Sequence, residues 1–390
     1  LHSPEPSAIP AAPPSHRLHA LDNLRAVVML TVITQHAALA YVSFANSWSM
    51  ADTSRSFGFT LMVGIIGGFR SHLFFLLAGF FSCFLWARSG LQGFIRQRAR
   101  RIGLPFLLGM LTLVPLSSWI SLWATQQLPL ADGAWPILFM RPGHLWFLEI
   151  LLLHCAAASL ILWVGSRTPH TRSLRALDAG FDWLLARPAR ILLLVPLSML
   201  LMWAHHDVGL VHDKGADLTP PLRAILYYGT FFLLGWWLHR RSHRLPELAR
   251  SCKSHLLIAL LSFPVFGIGH MVWTTPGQAH PLWLKALIIA ASALYAWAGA
   301  LAVTGWFLRH AGAHSPRVRY LADASYWVYL AHYPLVLWLQ KIMLPWGMNC
   351  WLKFTLNVII TLAVLLILYD RAVRHTWLGR LLHGPRTRPA

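Results

Sequence analysis

Charge is scarce in this chain. Only 12% of its 390 residues are Asp, Glu, Lys or Arg, about half of what a soluble protein carries. Acidic residues are the rarest: 13 Asp and Glu stand against 33 Lys and Arg, a formal net charge of +20. Cysteine is scarce too. The four present (Cys83, Cys155, Cys252 and Cys350) have no paired spacing, which argues against a zinc site and a disulfide framework and suits packing residues. There is no convincing internal repeat, no stretch of soluble-domain composition, and no signal-peptide pattern in the Pro-, Ala- and Ser-rich segment 1–18. That segment is expected to be disordered, and the first apolar run to be a retained anchor.

What fills the chain instead is hydrocarbon. A transmembrane helix needs about 20 mostly apolar residues, and ten stretches qualify: 21–43, 59–86, 103–124, 145–165, 191–206, 222–239, 255–274, 282–308, 320–340 and 351–370. Their runs are continuous rather than alternating, which favours helices over a β-barrel. The predicted fold is an all-α bundle of about ten transmembrane helices. Basic residues fall on alternate sides of these runs. With both termini cytoplasmic, the inward segments hold most of the Lys and Arg, and the outward ones hold Arg55, Arg141, Lys214, Arg223 and Lys341. The positive charge is therefore topological, and nucleic acid is not the expected partner. Domain organisation follows: 19–375 as the membrane domain and 376–390 as a basic cytoplasmic tail. The inward stretch 165–190 sets Leu174, Leu177, Phe181, Trp183 and Leu184 between arginines and predicts a helix lying on the membrane surface. In the outward loop 207–221, Asp207, His212, Asp213 and Asp217 either touch a polar substrate or are simply solvated.

Ionisable residues inside the runs are costly and mark candidate sites. In LDNLRAVVMLTVITQH, Arg25 and His36 lie eleven residues apart, on one helix face about 16 Å apart along the axis. Asp22 is on the same side as Arg25. A cation at the inner mouth in line with an imidazole deep in the membrane suits a long ligand with an anionic head and a reactive tail. Alternatively Arg25 snorkels to lipid phosphate and His36 bonds to a neighbouring helix. Arg70 and His72 interrupt the second run among glycines and either face a polar cavity or mark its outer end. Arg98 and Arg101 share a face in the following basic loop and are placed to grip phosphate. The fourth run carries His144, His154 and Glu149, a carboxylate that must be paired or protonated. It could orient a histidine, neutralise Arg70, or pair structurally. In the ninth, Ser325, Tyr329 and His332 share a face with no carboxylate spaced to complete a triad, which suits a polar wall. His205, His206, His270, His310 and His314 sit near span ends and read as interfacial. No metal site is expected.

These residues resemble the acyltransferase-3 family of membrane O-acyltransferases, and within it the glucan-biosynthesis protein C group, whose members succinylate periplasmic glucans. The likeness is carried by LDNLRAVVMLTVITQH, FRSHLFFLLAGFFS, RQRARRIGLPFLLG, GHLWFL and ASYWVYLAHYPL, in that order. The resemblance implies ten helices in a bacterial inner membrane and an acyl-coenzyme A donor used as co-substrate. It implies catalytic roles for Arg25 and His36, donor-binding arginines at Arg98 and Arg101 with Asp22 beside them, and a functional pair at Phe69 and Arg70. A succinyl or acetyl group would pass to a hydroxyl of a periplasmic or envelope glycan, with His36 as general base. Arg70, His72, Tyr329 and His332 are the candidate oxyanion donors, with Glu149 and Ser325 near the substrate. The family's Ser-Gly after the double phenylalanine is Ala78-Gly79 here, which removes a hydroxyl. No fused esterase-like domain is seen, so the bundle or partners (a glycan synthase or exporter) would handle the acceptor. Rival classes are a transporter of an acylated glycan, a haem-binding electron carrier and a non-catalytic subunit of a glycan assembly complex.

Overall fold

The computed structural model describes residues 15–44, 48–128, 130, 135–139, 141–167, 171–204, 208, 218–275, 279–313 and 315–383. Among them there are helices and turns but no strand. The helices are α1 (Ser15–Ala38), α2 (Phe57–Arg98), α3 (Leu104–Leu111), α4 (Leu113–Ala124), α5 (Trp146–Gly165), α6 (Thr171–Leu185) and α7 (Leu194–Met202), followed by α8 (Leu222–Arg240), α9 (Leu245–Trp273), α10 (Leu282–His310), α11 (Pro316–Met343), α12 (Cys350–Leu368) and α13 (Trp377–Leu382). Polar side chains start several of them. Ser56 accepts from the Gly58 N–H, Ser315 from Val318 with Pro316 in the first turn, and Asn349 from Trp351.

Among the described residues, six segments are long and apolar enough to cross a membrane: His19–Tyr41, Phe57–Ala124, Gly143–Gly165, Ser242–Trp273, Leu282–His310 and Cys350–Val373. A bent pair raises this to seven. The difference from ten has physical sources. The second and third expected spans form one helical run of 68 residues. It breaks at Gly90, whose φ of 66° and ψ of −176° only glycine adopts freely, and turns through a π-helical stretch at Ala99–Gly103. The fifth expected span is a 3₁₀ turn leading into the nine-residue α7, bent by 115° from α6. The sixth and ninth, α8 and α11, carry too many polar residues.

Helices α2 and α8 cross at close quarters because Gly79 and Gly235 face each other's backbones. A Cβ on Gly79 would meet the Phe232 carbonyl oxygen, and one on Gly235 the Leu76 carbonyl oxygen. The Phe231 and Trp297 rings stack at 3.7 Å and join α8 to α10. The expected surface helix is α6, which leaves Leu177 and Trp183 exposed. It is clamped to the end of α8 by Asp178, which takes hydrogen bonds from Arg240 at 2.7 Å and Trp237 at 3.1 Å, and by Asp182, 3.2 Å from Arg241. Partial burial alone would raise the Asp178 carboxyl, but the Arg240 and Trp237 hydrogen bonds and the Arg240 and Arg241 charges outweigh it and hold it below the usual carboxylate range. All four cysteines are free and buried. In the expected tail, α13 buries Gly379, Leu381 and Leu382. Residues 1–14, His205, His206, Asp207, His212, Asp213, Asp217 and His314 lie outside the described residues.

Candidate active site

Helix α1 ends in the turn that carries His36, and α11 passes beside it. His36 Nδ1 lies 2.8 Å from His332 Nε2, and the two rings are 6° from coplanar with centroids 5.0 Å apart. That separation is what two imidazoles joined edge to edge require, so they are hydrogen-bonded in plane. His332 Nδ1 lies 2.7 Å from the Tyr329 carbonyl oxygen. A carbonyl only accepts, so His332 carries its proton on Nδ1. With both rings neutral, His332 Nε2 is the acceptor and His36 donates from Nδ1. The lone pair of His36 is thereby assigned to Nε2, which makes no hydrogen bond among the described residues.

Two further groups complete this centre. Arg70, in α2, is 8% exposed, and its Nε and Nη1 are sealed from solvent without a hydrogen-bond partner. Its charge is felt at His36, His332, Tyr329 and Tyr228. A buried guanidinium with two orphaned nitrogens, within electrostatic reach of two imidazoles, is an electrostatic demand that an anion or a developing oxyanion could meet. His144 Nε2 donates to the Leu330 carbonyl at 2.9 Å while the Tyr329 hydroxyl donates to the His144 carbonyl at 2.9 Å. This reciprocal pair locks the start of α5 to α11. The His144 ring stacks on Tyr333 at 4.6 Å.

The other expected site residues divide. His72 packs among the rings of Tyr227, Tyr228 and Phe231, 4.8–5.5 Å between centroids. Glu149 is buried but forms no hydrogen bond or ion pair with Arg70 or with any histidine among the described residues. Ser325 donates to the Ala322 carbonyl of its own helix at 2.7 Å and does not reach His332. His154 bonds to the Ile225 carbonyl at 2.9 Å and His270 to that of Val208 at 3.1 Å.

At the far end of α1, Arg25 pairs with Asp22 at 3.2 Å and lies over the Phe81 ring at 5.4 Å. Arg98 Nη2 donates to Ser82 at 3.0 Å, and Arg98 lies within electrostatic reach of both Arg25 and Arg101. The Arg101 carbonyl accepts from the Tyr326 hydroxyl at 2.8 Å. Helix α11 thus runs from this basic cluster past Tyr326 and Tyr329 to His332, about 9 Å along its axis from Tyr326. No group of His, Cys, Asp and Glu among the described residues is arranged to hold a metal ion.

Several residues that sequence reasoning missed surround His36. The Trp48 ring lies 5.6 Å from His36 at 15°, and its Nε1 donates to Gln340 at 2.9 Å. Lys353 Nζ lies 2.7 Å from Asp52, both almost fully buried, and anchors the segment that follows Trp48. One signal for Gln340 was available: it follows Tyr329 by eleven residues, the spacing that puts His36 on the face of Arg25.

An acyltransferase-domain family matches residues 18–370. Glucans biosynthesis protein C from Shigella dysenteriae serotype 1 (strain Sd197) is 25% identical over 391 residues, covering 95% of each chain. The proteins of that name from Escherichia coli O139:H28 (strain E24377A / ETEC) and Escherichia coli (strain K12) match to the same extent. No solved structure matches. The chain belongs to the acyltransferase-3 family and is a multi-pass membrane acyltransferase.

Proposed function

We propose that this acyltransferase moves a succinyl or acetyl group from cytoplasmic acyl-coenzyme A to a hydroxyl of a periplasmic glucan, across a bacterial inner membrane, with His36 as general base. The observation that carries it is the chain from the Tyr329 carbonyl through His332 to His36. It leaves a lone pair on His36 Nε2, within electrostatic reach of the unpartnered Arg70 guanidinium. The names of the glucans biosynthesis relatives favour a glucan as acceptor, made or exported by a partner enzyme.

Arg25, Arg98 and Arg101 would hold the phosphates of the donor, with Asp22 bracing Arg25. The pantetheine arm follows α1 and α11 toward His36, a reach of about 16 Å on α1. His36 Nε2 takes the proton of the acceptor hydroxyl as its oxygen bonds to the acyl carbon. Arg70 stabilises the oxyanion. The carbon–sulfur bond then breaks, and the proton passes from His36 to the departing thiolate. Direct transfer needs no covalent intermediate, and an acyl-histidine on Nε2 is the alternative route.

Ten crossings with both termini cytoplasmic make this vectorial. The excess of Lys and Arg in the segments taken as inward is what supports that orientation; cation–π pairs sit at span ends on both sides, Arg167 over Trp163 and Arg190 over Trp183 at the expected inner ends, and Lys285 over Trp203 and Lys341 over Trp123 at the outer ones. The membrane domain is then 19–375.

The test is thiol release from a panel of acyl-coenzyme A donors by purified protein in lipid vesicles, with His36→Ala alongside. Release that is donor-specific and falls below about a tenth in the variant is the expected result. Turnover at about a tenth of wild type or more in His36→Ala would refute the role of His36. Absence of release from every donor, with and without glucan, would refute the donor.

A further inference from the structure

Gln340 sits near the end of α11 opposite the basic cluster and is 1% exposed. Burying an amide side chain is costly unless its groups are bonded, and here they are. Helix α1 ends at Ala38 and tightens into a 3₁₀ turn at Leu39–Tyr41, so its last carbonyls lack full helical partners. Gln340 Nε2 donates to two of them, those of His36 and Ala37, each at 3.1 Å. Its Oε1 accepts the Trp48 indole N–H at 2.9 Å. The amide orientation is fixed by this chemistry: carbonyls only accept and an indole only donates, so the amide cannot be flipped.

One side chain therefore ties three things together: α11, the backbone that carries His36, and the aromatic wall over the His36 ring. Trp48 is not held by burial, being only partly buried. It is held edge-on to Tyr333, with centroids 5.5 Å apart at 85°, and by Gln340. The segment behind it is fastened separately, through Asp52 to Lys353 and through the Asp52 N–H to the Ala40 carbonyl.

We infer that Gln340 is a positioning residue that holds His36 and Trp48 as one rigid face for the acceptor, and that this face keeps water off the acyl carbon. This rests on His36 being the base, as proposed above. Where the face is loosened, water replaces the acceptor: its oxygen bonds to the acyl carbon, the carbon–sulfur bond breaks, and its proton reaches the thiolate by way of His36. The products are the free acid and coenzyme A. Loosening should thus shift the protein from transfer to hydrolysis, whereas a general loss of fold would reduce both together.

The experiment uses the full chain in vesicles with succinyl-coenzyme A and glucan oligosaccharides, measuring thiol release and acyl incorporation separately. Gln340→Met keeps the length and removes all three hydrogen bonds. Trp48→Phe, on a partly exposed segment, keeps an aromatic ring but cannot bond to Gln340. The expected result is a transfer-to-hydrolysis ratio lowered by about tenfold in each variant, a donor KM within about twofold of wild type, and a double variant no worse than the singles. An unchanged ratio in both variants, with release still dependent on His36, would overturn this inference alone. A proportional loss of both reactions in Gln340→Met with Trp48→Phe unchanged would also overturn it, leaving a structural role. Release independent of His36 would overturn the base assignment first and this inference with it.

Discussion

Replacing His332 tests the logic of the site most directly. His332 accepts the Nδ1 proton of His36 at 2.8 Å and is itself fixed by the Tyr329 carbonyl at 2.7 Å. In His332→Leu, the His36 N–H would face an apolar side chain. The imidazole then gains nothing by keeping its proton on Nδ1, and the tautomer with the proton on Nε2 cannot act as a base toward the acceptor. A hydrogen bond inside a protein is worth about 0.5–1.5 kcal/mol net, and leaving a buried donor unmade costs about 1–3 kcal/mol. At about 1.4 kcal/mol per tenfold in rate, the expected loss in kcat is about 10- to 100-fold. His332→Gln should recover much of it, because the amide oxygen can stand where Nε2 stood and still accept from His36. Both variants should leave the donor KM unchanged, since the basic cluster is on the other end of α1. The assay is steady-state thiol release with saturating glucan, with expression and melting temperature as controls. A kcat for His332→Leu above about a third of wild type, in a folded protein, would refute the tautomer argument, as would a glutamine variant no better than leucine.

The remaining predictions concern stability. Lys353→Met leaves the buried Asp52 carboxylate unpaired and should cost about 3–5 kcal/mol, read as a lower melting temperature, and adding Asp52→Asn should restore part of it; an unshifted melt would sink the assignment of this pair as an anchor. Gly79→Ala or Gly235→Ala drives a methyl into the facing helix backbone and should cost about 1–3 kcal/mol or more, while Gly165→Ala, with open space around it, should change stability by less than about 0.5 kcal/mol. Equal melts for all three would show that α2 and α8 do not approach as closely as described.

How much of this was legible in the sequence depends on whether the relation lies within a helix or between helices. Arg25 and His36, or Tyr329 and His332, are linked by helical periodicity, so a linear reading finds them. Hydropathy likewise finds the long apolar helices. The partnership of His36 with His332 spans 296 residues, and that of Lys353 with Asp52 spans 301. No local period encodes either. Ser325 shows the opposite failure: it shares a face with His332, but a serine in a helix can bond to the carbonyl one turn back, and it does. His72 and Arg70 interrupt the same run two residues apart, yet a helix turns about 200° over that distance: His72 packs among Tyr227, Tyr228 and Phe231, while the Arg70 charge reaches His36, His332 and Tyr329, with Tyr228 in reach of both.

The same physics explains why α11 falls short as an apolar span. It has 28 residues, long enough to cross a bilayer, yet it does not meet the apolarity that six other segments meet. Its deficit comes from Arg317, Arg319 and Lys341 near its ends and from Asp323, Ser325, Tyr326, Tyr329, His332, Tyr333 and Gln340 between them. Four of the latter bond across to other elements: Tyr326 to Arg101, Tyr329 to His144, His332 to His36, and Gln340 to His36, Ala37 and Trp48. A helix exposed to lipid could not carry such a stripe, because each unmet polar group in hydrocarbon costs several kcal/mol. A helix surrounded by α1, α4 and α12 can, provided the stripe is bonded. The weak hydropathy of α11 is therefore largely the imprint of the polar stripe that carries the candidate site. In a bundle of this kind, the long helix that looks least like a membrane span is the one to search first for the chemistry.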